Sequence, residues 1–187
     1  MLTAGHVADR SLYYGINNPA GNTSQNSVIN FQHNGVGDYA LVPIAQNTPT
    51  NLLRINSTTT AKIDSFNNGS VLSTFEGRQF LKYGATTGLT AGNFAQLNGI
   101  GRFRDPDAPE YDPYRKIEIY GLTTFVNNTL IPVKPGDSGG PVWCLTASGT
   151  RELYGVISGM DSTNPHTAYF SRLQYPSNNN SYQPKLK

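Results

Sequence analysis

Apolar residues in this chain come in short runs, and glycine, asparagine, proline or serine closes each run within a few positions. Such a pattern leaves no room for long amphipathic helices. No stretch suggests a helix of more than two turns, so the chain is expected to be all-β with many tight turns. Candidate strands fall at 12–15, 28–33, 37–44 and 52–55 in a first part, then at 79–83, 92–97, 117–125, 141–145, 152–158 and 167–171 in a second. Between 79–83 and 92–97, the Gly84-Ala85-Thr86-Thr87-Gly88 segment reads as the long turn of an antiparallel hairpin. Residues 46–77 are polar and rich in Asn and Thr, and read as the closing strand of a first half followed by a linker. Residues 104–116 form a Pro- and Asp-rich surface excursion, and the Ser/Asn-rich tail after Tyr175 has no pattern.

Composition narrows the function classes. The chain has 187 residues, of which 14% are charged, against roughly 25% in an average soluble domain. A net charge of +2 without basic runs gives no footprint for nucleic acid or an anionic membrane, and neither partner is expected. No apolar run approaches the roughly 18 residues that cross a bilayer, and no charged leader with an apolar core follows Met1. The single cysteine, Cys144, excludes an internal disulfide and reads as a small buried hydrophobe between Trp143 and Leu145. His6, His33 and His166 lack metal-ligand spacing, so no metal and no cofactor are expected. His33 and His166 read as solvated or core-edge side chains. Asn-x-Ser/Thr sequons at Asn22, Asn56, Asn68, Asn127 and Asn179 favour secretion only slightly in a chain so rich in these residues.

Chemistry concentrates at Pro135-Gly136-Asp137-Ser138-Gly139-Gly140-Pro141. Glycines here allow a tight loop whose N–H groups converge on a developing anion, with one serine held in the open. A serine hydroxyl is a poor nucleophile until an imidazole takes its proton, and that imidazole needs a carboxylate to fix its tautomer. His6, in Leu2-Thr3-Ala4-Gly5-His6, and Asp38, in Gly37-Asp38-Tyr39-Ala40-Leu41-Val42, supply one of each at the edge of a predicted strand. Taken singly, Asp38 reads as a turn residue and His6 as a structural histidine.

Together, these three motifs in the order His, Asp, Ser resemble the chymotrypsin-like serine proteases. The likeness is nearest to the streptogrisin-like bacterial branch, through Lys82-Tyr83-Gly84-Ala85-Thr86-Thr87-Gly88-Leu89-Thr90-Ala91-Gly92 and Pro135, and it spans His6 to about Phe170. The resemblance implies two six-stranded antiparallel β-barrels with a cleft between them. It implies a secreted serine endopeptidase acting on polypeptides, with His6 as general base, Asp38 as its orienting partner and Ser138 as nucleophile. The N–H groups of Gly136 and Ser138 would form the oxyanion hole. Ser158 matches the serine that supports the aspartate, and Ser158, Gly159 and Met160 match the segment that pairs with substrate backbone. Pro132 and Val133 fall at the floor of the acyl-side pocket, where no acidic residue stands to hold Lys or Arg. Met160 takes the place of a wall glycine, so small-to-medium apolar residues are expected there.

The chain also departs from the family pattern. Val7 stands where a cysteine often follows the histidine, Cys144 has no partner, and Asp137 has no amino terminus of the zymogen type to pair with. Five residues precede His6, where the family has much of its first barrel. The expected organisation is a partial barrel over 1–70 carrying His6 and Asp38, a whole barrel over 71–176 carrying Ser138, and a flexible tail over 177–187. On this reading the chain is an incomplete protease, weakly stable and weakly active. Its competent form would be a longer, monomeric precursor with a signal peptide. The other function class left open is a catalytically silent homologue that uses the cleft for binding.

Overall fold

The computed structural model describes residues 2–4, 13–14, 23–24, 30–32, 35–41, 52–56, 58–67, 72–104 and 116–174. Nine short strands come first: β1 (Leu2–Thr3), β2 (Tyr13–Tyr14), β3 (Thr23–Ser24), β4 (Asn30–Gln32), β5 (Gly35–Val36), β6 (Tyr39–Leu41), β7 (Leu52–Arg54), β8 (Thr60–Lys62) and β9 (Ser65–Phe66). After a 3₁₀ turn at Leu72–Thr74 come six longer ones: β10 (Gln79–Gly84), β11 (Gly88–Arg104), β12 (Lys116–Val126), β13 (Pro141–Leu145), β14 (Arg151–Met160) and β15 (Thr167–Arg172).

The six later strands close on themselves. Antiparallel pairs run β11-β10-β13-β14-β15-β12, and β12 returns to β11. Closure requires strands to bend, and the bends come from register shifts between β11 and β12 from Phe94 to Gly101, between β13 and β14 at Val142/Trp143 and between β14 and β15 at Ile157/Gly159. The β10–β11 hairpin turns between Gly84 and Gly88, where the Gly-Ala-Thr-Thr-Gly segment places it.

Alternation along the strands fills the barrel with aromatic rings. Phe80 lies at its centre, fully buried, with ring centroids 5.0 Å from Phe170, 5.1 Å from Tyr154 and 6.2 Å from Phe125. Edge and tilted arrangements at these distances add to the area term. Cys144 is buried in the same core, and burial pushes its thiol up to about 12, as befits an inert small hydrophobe.

The first part packs around this barrel. Its described strands form the three-stranded sheet β1-β6-β4 and the pairs β2-β3 and β7-β8, and they close no barrel among the described residues. Residues 58–67, within the stretch read from sequence as linker, hold more order than that. β8 pairs with β7, and β9 runs parallel to β14 with Ser65 opposite Glu152. The Thr/Ser-rich wording hid these strands because their apolar anchors are isolated: Phe66 in β9 and, between the two strands, Ile63, buried against Leu53 and Trp143. The 105–115 stretch of the surface excursion and the tail lie outside the described residues.

Because Phe80 packs against Phe75 as well as Phe170, Tyr154 and Phe125, Phe80→Ala is expected to lower unfolding free energy by about 3–5 kcal/mol. Denaturant unfolding at neutral pH checks this, and a loss below ~1 kcal/mol would show that the barrel core repacks freely.

Candidate active site

Strand β10 presents Phe80, Lys82 and Gly84 to the barrel interior and Gln79, Leu81 and Tyr83 outward. The middle inward position is therefore a lysine, 0% exposed. An ammonium there is tolerable only if it is paired and its protons are all used. Its Nζ donates to Asp137 Oδ2 at 3.0 Å, to Gly88 O at 3.1 Å and to Thr87 Oγ1. Asp137 is thus the partner of Lys82, which the sequence left unassigned.

The Asp137 carboxylate collects four further donors. Oδ1 accepts from Thr86 N at 2.8 Å and Thr87 N at 3.0 Å, and Oδ2 accepts from Thr87 Oγ1 at 2.6 Å and Lys134 N at 3.0 Å. Burial alone would raise this carboxyl, but the Thr87 hydroxyl, the Lys134 and Thr87 amides and the Lys82 ammonium together hold it below its usual value. Gly84 makes the approach possible, because a Cβ there would stand 2.2 Å from Asp137 Oδ1. Hairpin turn and serine loop are thereby locked to one carboxylate.

Ser138 follows directly. Gly136 sits at φ 97°, a left-handed backbone that favours glycine. The N–H groups of Asp137, Gly139 and Gly140 bond to Lys134 O at 3.0 Å, Ile157 O at 2.8 Å and Asp137 O at 3.0 Å. Those of Gly136 and Ser138 meet no acceptor among the described residues. The Ser138 hydroxyl donates to Ser158 O at 3.4 Å, a long contact.

From Ser158 the network reaches Asp38. The Ser158 and Ser171 hydroxyls are 3.2 Å apart, and Ser171 Oγ accepts the Asp38 N–H at 2.6 Å. Asp38, Ser158 and Ser171 are all buried. Asp38 is also delivered by the barrel. β5 runs parallel to β12, with Gly35 opposite Ile119 and Val36 opposite Tyr120, and Gly37 N donates to Tyr120 O at 2.9 Å. Asp38, expected on the partial first barrel, is thus also bonded to the second, through the β5–β12 pairing beside it and through Ser171 on β15. Ser171 was not singled out from the sequence, and a lone serine near a strand end carries no signal by which it could have been.

His6 lies outside the described residues. Ahead of it, β1 pairs with β6 so that Thr3 faces Ala40, and Ala4 is fully buried. Val133 packs inside the barrel core, with Met160 lying against the same cluster. Pro132 is buried and its carbonyl accepts from Thr90 Oγ1 at 2.6 Å. Gly159 is covered by the Phe103 ring, whose Cε1 is 2.6 Å from where a Cβ would stand. Gly159 and Met160 pair with β15 on one edge, Ser158 sits at the bulge before them, and beyond Val156 the opposite edge of β14 meets no described strand.

No protein-family model matches the chain, and no curated protein matches it. Solved structures do. The chymotrypsin of Cellulomonas bogoriensis matches at 20% identity and TM-score 0.66, over 100% of this chain and 85% of that one. The Nocardiopsis protease matches at 24% identity and TM-score 0.65, over 95% and 80%. Protease A of Thermobifida fusca matches at 22% identity and TM-score 0.62, over 95% and 79%. At these identities the likeness is one of architecture, and the chain has the chymotrypsin-like fold of bacterial serine proteases.

Lys82→Met strands a buried carboxylate and is expected to cost about 3–5 kcal/mol in denaturant unfolding at pH 7. The acid limb should shift with it. In the parent, the lowered Asp137 contributes stability above the ordinary carboxylate value of 3.8, and this is lost as pH falls through the lower folded value. Without the ammonium that loss must begin at higher pH. An unchanged acid limb in K82M would show that Asp137 does not need Lys82.

Proposed function

We propose that the chain is a secreted serine endopeptidase working through His6, Asp38 and Ser138. The observation that carries this reading is the Ser138 loop: a half-buried serine between two backbone N–H groups with no described acceptor, joined through Ser158 and Ser171 to a buried Asp38. In the proposed reaction His6 takes the Ser138 proton as Oγ attacks a peptide carbonyl. The N–H groups of Gly136 and Ser138 receive the oxyanion. His6 then returns the proton to the leaving amine, and a water activated by the same imidazole releases the acyl group. Asp38 stabilises the imidazolium and holds its tautomer. A long hydroxyl contact such as the 3.4 Å one at Ser158 suits a resting site that tightens when substrate arrives.

Substrate backbone fits the open edge of β14 at 158–160, where an extended peptide adds as a strand. The acyl-side pocket then lies between the 132–138 segment and Gly159 and Met160. Met160 offers it an apolar wall, Val133 lies behind it in the barrel core, and neither Pro132 nor Val133 supplies an anion, so Lys or Arg would lack a partner. Small-to-medium apolar residues are the expected choice.

A fluorophosphonate should label the wild-type chain at Ser138, and Ser138→Ala should abolish labelling without unfolding the protein. Asp38→Asn should bind substrate normally yet acylate slower by about 10⁴-fold. In a peptide library, cleavage after Ala, Val or Leu should exceed cleavage after Lys or Arg. A folded wild-type chain that takes no label would sink the hydrolase reading and leave the cleft as a binding surface.

A further inference from the structure

Two turns flank the proposed pocket without belonging to the Ser138 network, and each is wound on one side chain. Asn127 Oδ1 accepts from Thr129 N at 2.9 Å, Thr129 Oγ1 at 2.9 Å and Leu130 N at 2.8 Å. Asp161 Oδ1 accepts from Thr163 N at 2.7 Å, Thr163 Oγ1 at 2.6 Å and Asn164 N at 3.2 Å, while Oδ2 takes the Tyr169 hydroxyl at 2.8 Å. Such Asx turns are locally self-sufficient. His166 joins them. Asn127 N donates to His166 O at 3.1 Å, and His166 Nδ1 stands 2.8 Å from Asn127 O and 3.1 Å from Leu130 O. Carbonyl oxygens only accept, so Nδ1 must carry a proton, which both the Nδ1–H tautomer and the imidazolium provide.

We propose that His166 is a positioning residue that latches the 127–130 turn to the 161–166 turn and thereby sets the width of the acyl-side pocket. This rests on the protease reading above for the identity of the pocket. The first turn leads through Ile131 into Pro132, whose carbonyl is fixed by Thr90 Oγ1, and on to Lys134, whose amide is fixed by Asp137. The second leads back into Met160, opposite Ala168. Both pocket segments are therefore anchored at their inner ends by the Lys82–Asp137 region and by β15. Their outer ends meet at one imidazole. Losing the Nδ1–H removes both bonds to Asn127 O and Leu130 O, and leaves the Asn127 N–H bond and the adjoining Val126/Thr167 pair of β12 and β15 to hold the two turns together, with Asn127 Nδ2 still donating to Ala91 O at 2.7 Å.

The test compares full-length wild type, His166→Ala and His166→Asn, since an asparagine amide nitrogen reaches from Cβ about as far as Nδ1. Hydrogen exchange is read at 127–131 and 161–167, and kcat/KM is read for paired peptides with Ala or Phe on the acyl side. In H166A, exchange should rise roughly two- to tenfold in both turns, the range one or two lost hydrogen bonds allow. The preference for Ala over Phe should fall in the same range, through KM. H166N should restore both. Faster exchange confined to 161–167, or unchanged in both turns, would overturn the latch, and loosened turns with unaltered Ala/Phe preference would overturn its role in the pocket. Should H166A fail to fold, His166→Gln, whose amide reaches instead to the Nε2 position, serves as the loss variant against H166N. A wild-type chain that cleaves nothing counts against the protease reading and against the pocket role that rests on it, while the exchange data still decide the latch.

Discussion

A lysine ammonium inside a β-barrel has to be answered by an anion, and here the anion is the residue just before the proposed nucleophile. Lys82 and Asp137 are both fully shielded, and between them they use three ammonium protons and five donors to one carboxylate. Neither partner can move without stranding the other, which costs several kcal/mol in a buried setting. The β10–β11 hairpin and the 132–140 loop are consequently one unit. The positive φ of Gly136 and the amides of Gly136 and Ser138, which meet no acceptor among the described residues, follow from that unit, because Asp137 fixes the backbone on either side of them.

The second constraint is the way the barrel reaches out to seat Asp38. β5 adds to β12 as a parallel strand, and Ser171 on β15 takes the Asp38 amide. Two groups required by the proposed chemistry are thus bonded to the same closed barrel despite lying a hundred residues apart. Placing reactive side chains on loops backed by a closed sheet limits how far they can drift, and drift of about 1 Å is enough to cost ~10²-fold in rate.

Much of this was legible in the sequence, and the reason differs from element to element. The later strands were visible because each carries its own alternating apolar residues and is closed by its own turn, as at Gly84-Ala85-Thr86-Thr87-Gly88. Residues 60–66 were not, since β8 and β9 lean on apolar surface supplied by Trp143 and Leu153 from far along the chain. The Ser138 loop was legible from its glycines. The partner of Asp137 was missed although a clue was present: Lys82 shares the inward parity of Phe80, and an inward lysine on a core strand demands an anion. Ser171 and His166 left no such clue, because their roles rest on hydrogen bonds to backbone groups that sequence does not place.

If the Lys82–Asp137 pair organises the Ser138 loop rather than merely stabilising the barrel, stability and reactivity must separate when both charges are removed. The decisive measurement is the rate of fluorophosphonate labelling in the double variant K82M/D137N beside its unfolding free energy. Stability should recover much of what K82M loses, because no charge is left stranded, while labelling stays at least on the order of tenfold slower than wild type for want of the carboxylate oxygen that holds Lys134 N and Thr87 Oγ1. Labelling at the wild-type rate in that variant would contradict the claim and reduce the pair to a structural bond.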